Sequence, residues 1–190
     1  MNDPQLRCAV KRKILARYAD DPYTRIFDEL GLRHGAARID IAVVNGIIHG
    51  FELKSERDTL KRLPRQVQMY NSVLDRVTLV VASRHADEAT RIVPEWWGIK
   101  IAAMSPTGAL EFSDCRAARD NPSPDILAVS KLLWRQEALT LLDEFGEAER
   151  LRYKPRALVY GRLAEVADLD TVRERVRRQL KFRETWRVDQ

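Results

Sequence analysis

The chain has 190 residues, of which 45% are apolar and 32% charged, with 8 Gly and 8 Pro. That length and composition suit one globular domain, or one domain with a helical appendage, and exclude collagen, low-complexity disorder and mucin-like stalks. The 33 basic and 28 acidic residues leave a net charge of +5, which permits an anionic partner such as nucleic acid without requiring one.

Residues 4–18 carry Leu6, Val10 and Ile14 at helical spacing, with Asp3-Pro4 as the expected cap and start. The opposite face of that helix is basic: Arg7, Lys11, Arg12, Lys13 and Arg17. Residues 24–32 read as extended or as a short helix, with a strand favoured. Two β-rich runs, 38–44 and 47–54, meet at Asn45-Gly46, a strong short-range hairpin signal. Residues 56–76 read as a helix with Leu60, Leu63, Val67, Tyr70 and Leu74 on one face, and Pro64 predicts a kink or a split within it. The unbroken apolar run 77–82 predicts a central strand covered on both faces. A short helix over 84–93, a strand over 99–104 and a short edge over 109–112 follow, with Trp96-Trp97 as packing under the last strand. Asn121-Pro-Ser-Pro124 is the best linker signal, and helices are expected over 125–145, 155–166 and 171–186. The domain reading is a core over 1–120 and a helical C-terminal region over 121–190. The predicted fold class is α/β, a mixed sheet flanked by helices followed by an all-helical region.

No stretch approaches the roughly 20 apolar residues of a membrane-spanning helix. The N-terminus, Met1-Asn2-Asp3-Pro4, shows no apolar signal region. Cys8 and Cys115 have no zinc-ligand spacing and read as reduced thiols, so the expected location is the cytoplasm.

Chemistry gathers on the hairpin. Asp40 lies in its first strand, and Glu52 and Lys54, two apart, share a face of its second. A two-residue turn at Asn45-Gly46 pairs positions summing to 91 and sends Glu52 to the face of Ile39, Ile41 and Val43. A slip of one, so that pairs sum to 92, instead places Ile39, Ile41, Val43, Phe51 and Leu53 on one face and Asp40, Glu52 and Lys54 on the other. A one-residue bulge at Gly46 or Gly50 achieves this. Two carboxylates and a lysine so placed suit a hydrated Mg²⁺ or Mn²⁺ acting on a phosphodiester, with the ammonium orienting water or binding phosphate. The plain rival is a solvated sheet face carrying a Glu–Lys pair and no ligand.

The element order and the Asp40, Glu52-Leu53-Lys54 constellation resemble the PD-(D/E)XK nuclease superfamily, the restriction-endonuclease-like fold. The runs at 38–46 (Arg-Ile-Asp-Ile-Ala-Val-Val-Asn-Gly), 52–60 (Glu-Leu-Lys-Ser-Glu-Arg-Asp-Thr-Leu) and 62–70 (Arg-Leu-Pro-Arg-Gln-Val-Gln-Met-Tyr) resemble a bacterial and phage branch of it, as do 94–98 and 132–139. Ile39 stands where that superfamily often has Pro. The resemblance implies metal-dependent cleavage of DNA, with Asp40 and Glu52 as metal ligands and Lys54 as the catalytic lysine. It also implies Glu29 as a further catalytic and metal-binding acid, brought near Asp40 by a hairpin of 25–32 on 37–44. Gln66 and Tyr70 match a Gln-Xaa-Xaa-Xaa-Tyr pattern that positions DNA or the carboxylates, and i,i+4 spacing puts both on one helical face.

Arg38 is expected to hold the carboxylates or touch phosphate, with a plain edge arginine as the equal alternative. Lys61, Arg62 and Arg65 are candidate phosphate contacts, and His34, His49 and His85 show no ligand spacing. Residues 131–190 carry 14 basic and 11 acidic side chains, enough only for weak nucleic-acid contact, so that region is equally a site for a protein partner. The alternative function is a catalytically inactive DNA-binding or protein-interaction module that keeps the fold.

Overall fold

The computed structural model describes residues 1–18, 20–32 and 35–183. The first helix, α1 (Asp3–Lys13), is capped one residue earlier than expected. The Asn2 side chain accepts from the Gln5 N–H and the Gln5 side chain accepts from the Asn2 N–H, both at 3.0 Å. This reciprocal capping leaves Asp3 and Pro4 inside the first turn, where proline forfeits no hydrogen bond. A single 3₁₀ turn, Ala16–Tyr18, follows.

Six strands form one sheet in the order of the chain: β1 (Arg25–Leu32), β2 (Ala37–Asn45), β3 (Ile47–Lys54), β4 (Arg76–Ala82), β5 (Gly98–Met104) and β6 (Leu110–Arg116). β1, β2 and β3 are antiparallel, β3, β4 and β5 are parallel, and β6 runs antiparallel to β5. The fold is α/β, a mixed sheet flanked by helices with further helices at the C-terminal end. Of the segment 24–32, residues 25–32 form a strand, and the edge near 109–112 runs over Leu110–Arg116.

The β2–β3 register is the one that the apolar pattern and the chemistry both require: Ile41 pairs with Phe51, Ala42 with Gly50 and Asn45 with Ile47. The odd residue is Gly46 at the tip, with φ of +67°. No residue is inserted at Gly50, whose missing side chain has another cause. A Cβ there would meet Leu74 Cδ1 at 2.6 Å.

The expected helix over 56–76 is shorter. Residues 56–62 are turns, and α2 (Leu63–Asn71) starts with Pro64 in its first turn. The proline therefore begins the helix instead of kinking it. After β4, a 3₁₀ turn (Ser83–His85) leads into α3 (Ala86–Ile92). The C-terminal helices are α4 (Ile126–Ser130), α5 (Arg135–Asp143), α6 (Arg156–Val166) and α7 (Leu169–Phe182). The single helix expected over 125–145 is thus two. Trp134 is extended, and Glu137 accepts its N–H at 2.7 Å, so a new helix is capped there. Of the helix expected over 171–186, residues 184–186 lie outside the described residues.

The sheet is buried on both faces. On one, Leu6, Val10 and Leu15 pack against Ile41, Val43, Phe51, Leu53, Val80 and Ala102. On the other, α2 and the C-terminal helices share a single core with the strands, from Leu30 and Val77 through Trp97 to Leu142, Val176 and Leu180. Continuous burial of β4 explains its unbroken apolar run. The segment expected as a linker is pinned. The Asn121 amide donates to the carbonyls of Asn71 and Leu74, and its N–H donates to Asp75 O. Arg173 on α7 forms an ion pair with the buried Asp75 at 2.9 Å, and Arg25 donates to Lys181 O. No helix among the described residues is long and apolar enough to cross a membrane.

Candidate active site

The site lies where β2 parts from β3. The β2–β3 ladder stops at Ile41–Phe51. On the other side, β1 pairs Asp28 with Ile41 and Leu30 with Ile39, so Glu29 stands opposite Asp40 without a ladder pair. Glu29 has φ of +55°, an uncommon left-handed conformation for a non-glycine residue. The interruption appears in the packing too. Ile41 belongs to the α1 side of the sheet, while Ile39, expected on the same face, lies in the opposite core.

Asp40 fills the gap between the parting strands. Its Oδ2 accepts the Leu53 N–H at 2.8 Å, a donor left over beyond the end of the ladder. Its Oδ1 accepts from Arg7 Nη2 at 3.0 Å, while Arg7 Nη1 donates to the Asp40 carbonyl at 2.7 Å. Burial raises the Asp40 pKa, opposed by the Leu53 N–H, Arg7 and Lys54.

Glu52 is buried, 1% exposed, and is held from three directions. Lys54 Nζ donates to Oε1 at 2.5 Å, Gln66 Nε2 donates to the same oxygen at 2.6 Å, and the Tyr70 hydroxyl lies 2.7 Å from Oε2. Burial, reinforced by the nearby Asp40 charge, pushes the Glu52 pKa up to about 7, against Lys54 and Tyr70. The same Tyr70 hydroxyl is 2.6 Å from the Arg38 carbonyl. A phenol has one hydrogen, and a carbonyl can only accept. The single Tyr70 hydrogen therefore serves only one of these two acceptors at a time, and burial leaves the Glu52 carboxyl easier to protonate than a free one.

The Gln66 Oε1 is buried and has no hydrogen-bond partner among the described residues. An oxygen acceptor on the side chain that holds Glu52, with the Asp40 charge near enough to act on that carboxyl, is an all-oxygen set of the kind hard divalent cations take, and Mg²⁺ needs only one or two protein carboxylates besides water and phosphate. Asp40, Glu52 and Gln66 therefore fit such an ion. Among the described residues, no group of three or more His, Cys, Asp or Glu is placed to hold a metal. Glu29 does not complete one. Its side chain is half exposed and paired with Arg38 at 3.2 Å, because the left-handed turn interrupts the alternation of β1.

Arg38 is 65% exposed on its side chain and reaches Glu29, while its carbonyl receives Tyr70. Lys61, Arg62 and Arg65 are exposed around the start of α2, the helix that delivers Gln66 and Tyr70. His49 faces the other side of the sheet, stacked on Phe51, and His85 contacts Arg84. His34 lies outside the described residues. The residue that sequence reasoning missed is Arg7. Its only signal was membership of a five-residue basic face on α1.

The profile of the family described as bacteriophage P4 protein cII matches residues 1–187. The chain is similar to the protein named protein cII of Enterobacteria phage P4, at 27% identity over 121 residues. That match covers 64% of this chain and 46% of the phage protein, less than half of its length. No solved structure matches the chain.

Proposed function

The chain belongs to the bacteriophage P4 protein cII family, and we propose that it is a metal-dependent nuclease of PD-(D/E)XK type, hydrolysing DNA phosphodiester bonds in the cytoplasm. The observation that carries this reading is the Asp40–Glu52–Lys54 constellation at the parting of β2 and β3, with Gln66 and Tyr70 fixing the buried carboxyl.

Asp40, Glu52 and Gln66 Oε1 would hold Mg²⁺ or Mn²⁺. When bound, the ion supplies Lewis-acid stabilisation of the phosphate and a more acidic water. Loading requires Glu52 to give up its proton, which the neighbouring Lys54 ammonium favours. Lys54 then presents its charge toward the phosphoryl oxygens, where negative charge builds in the transition state. Arg7 holds Asp40 in place, and Tyr70 and Gln66 orient Glu52. Exposed Arg38, Lys61, Arg62 and Arg65 guide the phosphate backbone. The C-terminal helices, with exposed Tyr153 and Leu158, offer a surface to a protein partner.

The test is a panel of single-stranded, duplex and branched DNA and RNA with Mg²⁺ or Mn²⁺, run beside Lys54→Ala. Metal-dependent cleavage of DNA that Lys54→Ala abolishes supports the reading. Cleavage unaffected by that substitution sinks it.

A second reading has its own support. Both Asp40 oxygens are already bonded, to Arg7 and Leu53, and both Glu52 oxygens are bonded by Lys54, Gln66 and Tyr70. A site so satisfied suits a non-catalytic DNA-binding or protein-interaction module. That module binds no metal in calorimetry, whereas the nuclease does.

A further inference from the structure

The opposite face of the sheet carries a cleft of about 920 Å³, between the end of α1 with its 3₁₀ turn and the strands β2 to β6. Its floor is unsaturated: Phe112 from β6, and the His49 ring stacked on the buried Phe51 with centroids 4.4 Å apart. Its rim is basic. Lys13, Arg17, Arg76, Lys100 and Arg116 line it against Glu111 and Asp114.

The pairing of these charges leaves an excess. Lys100 is matched by Asp114, and Arg76 meets Asp120 through its Nε, with the two terminal nitrogens of the guanidinium outside that contact. Lys13 and Arg116 lie on backbone carbonyls, which do not cancel a charge. Arg17 lies over the Tyr18 ring, 4.8 Å from its centroid. The field is felt at His49, whose pKa falls to about 4 through burial and then through Arg76 and Arg17. At neutral pH the ring is therefore uncharged. Its Nε2 meets Thr78 Oγ1 at 2.9 Å, and both residues line the cleft.

We propose that this cleft binds a nucleoside phosphate, with the base over the Phe112 and His49 floor and the phosphate against Arg17 and Arg76. The volume lies within the usual range of small-molecule pockets and is far larger than a lone phosphate requires. A planar heterocycle on an aromatic floor is the pairing that single nucleotides use, and guanidinium groups match phosphate oxygens in a fork. Glu52 and Lys54 lie on the other face of β3, so a ligand here is separate from the candidate active site.

The test is a titration of the full chain, labelled at histidine, with AMP, adenosine and inorganic phosphate, following the His49 ring signals by NMR at pH 7. The expected result is a saturable shift with AMP. Binding should weaken at least tenfold with adenosine or phosphate alone, and at least tenfold in Arg17→Ala, an exposed position whose loss leaves the core untouched. Arg76→Ala should act in the same direction, and Lys54→Ala should leave AMP binding unchanged. The proposal is overturned if AMP produces no saturable shift, if phosphate alone binds as tightly as AMP, if Arg17→Ala binds AMP normally, or if an acidic peptide shifts His49 where AMP does not.

Discussion

Arg7 holds Asp40 by a two-point contact, one guanidinium nitrogen on the main-chain carbonyl and another on the carboxylate. The contact reaches from the first helix to the second strand and fixes both the backbone and the side chain of the residue on which the candidate metal site depends. Arg7→Ala is therefore expected to leave the fold intact while lowering cleavage and metal affinity by about 10- to 100-fold, as for partners that orient metal ligands. Arg7→Lys, a point charge without the planar fork, should recover only part of the loss. Calorimetric metal titration beside a cleavage assay checks both. Equal activity in Arg7→Ala and the parent protein would remove Arg7 from the site.

The roles of Asp40 and Lys54 separate by metal binding. Lys54→Ala should lose cleavage and keep metal binding, because an ammonium supplies charge and no ligand. Asp40→Asn should lose both, yet remain folded, because an amide oxygen still accepts the Leu53 N–H. Asp40→Ala orphans that buried donor and should cost about 1–3 kcal/mol in addition. Urea unfolding of the two Asp40 variants resolves the difference.

The stability of the protein carries two opposed pH slopes. Glu52 titrates near 7 in the fold against an ordinary 4.5, so the folded state holds the extra proton between those values. Its contribution is intact below about pH 4.5 and is lost as pH rises toward 7. His49 titrates near 4 against 6.5, so the unfolded state holds the extra proton, and stability is lost as pH falls from 6.5 toward 4. The two effects offset each other across their overlap. Glu52→Gln should unmask the histidine slope and gain stability relative to the parent as pH rises to 7. Denaturation midpoints measured at several pH values check the sign, and a Glu52→Gln advantage greatest at pH 4 would contradict it.

A chain cut after residue 124 should not fold cooperatively. The cut removes Leu142, Val176 and Leu180 from the core on the α2 face and strips Arg173 from the buried Asp75. Each fully buried leucine or valine is worth roughly 1.5–3 kcal/mol, so losing several exceeds the stability of a typical domain. A sharp thermal transition for residues 1–124 would show that the helices are an appendage after all.

Period-two alternation makes the hairpin legible, and the need to keep Glu52 and Lys54 out of the apolar face selects its register. Alternation stops being informative where a side chain replaces a ladder bond. Asp40 takes the Leu53 N–H, Glu29 turns left-handed opposite it, and Ile39 consequently changes face. Arg7 was hidden for a different reason. Its contact with Asp40 spans 33 residues of sequence, and four other basic residues shared its helix face. Asn121-Pro-Ser-Pro124 read as a linker by composition, although the Asn121 amide is used to close the core between α2 and β4.

The sheet adds its six strands in chain order, so each strand leaving the ribosome finds its neighbour already made. The core on the α2 face does not share that convenience. Val172, Val176 and Leu180 follow all six strands in the chain, yet they complete a layer begun by Phe27 and Leu30. At about 5–20 residues per second, the nascent sheet waits roughly ten seconds or more between the emergence of β1 and that of α7, with one apolar side uncovered. Yield in the cell is therefore governed by how well that interval is protected, and slowing translation late in the message should increase aggregation without altering the stability of the finished protein.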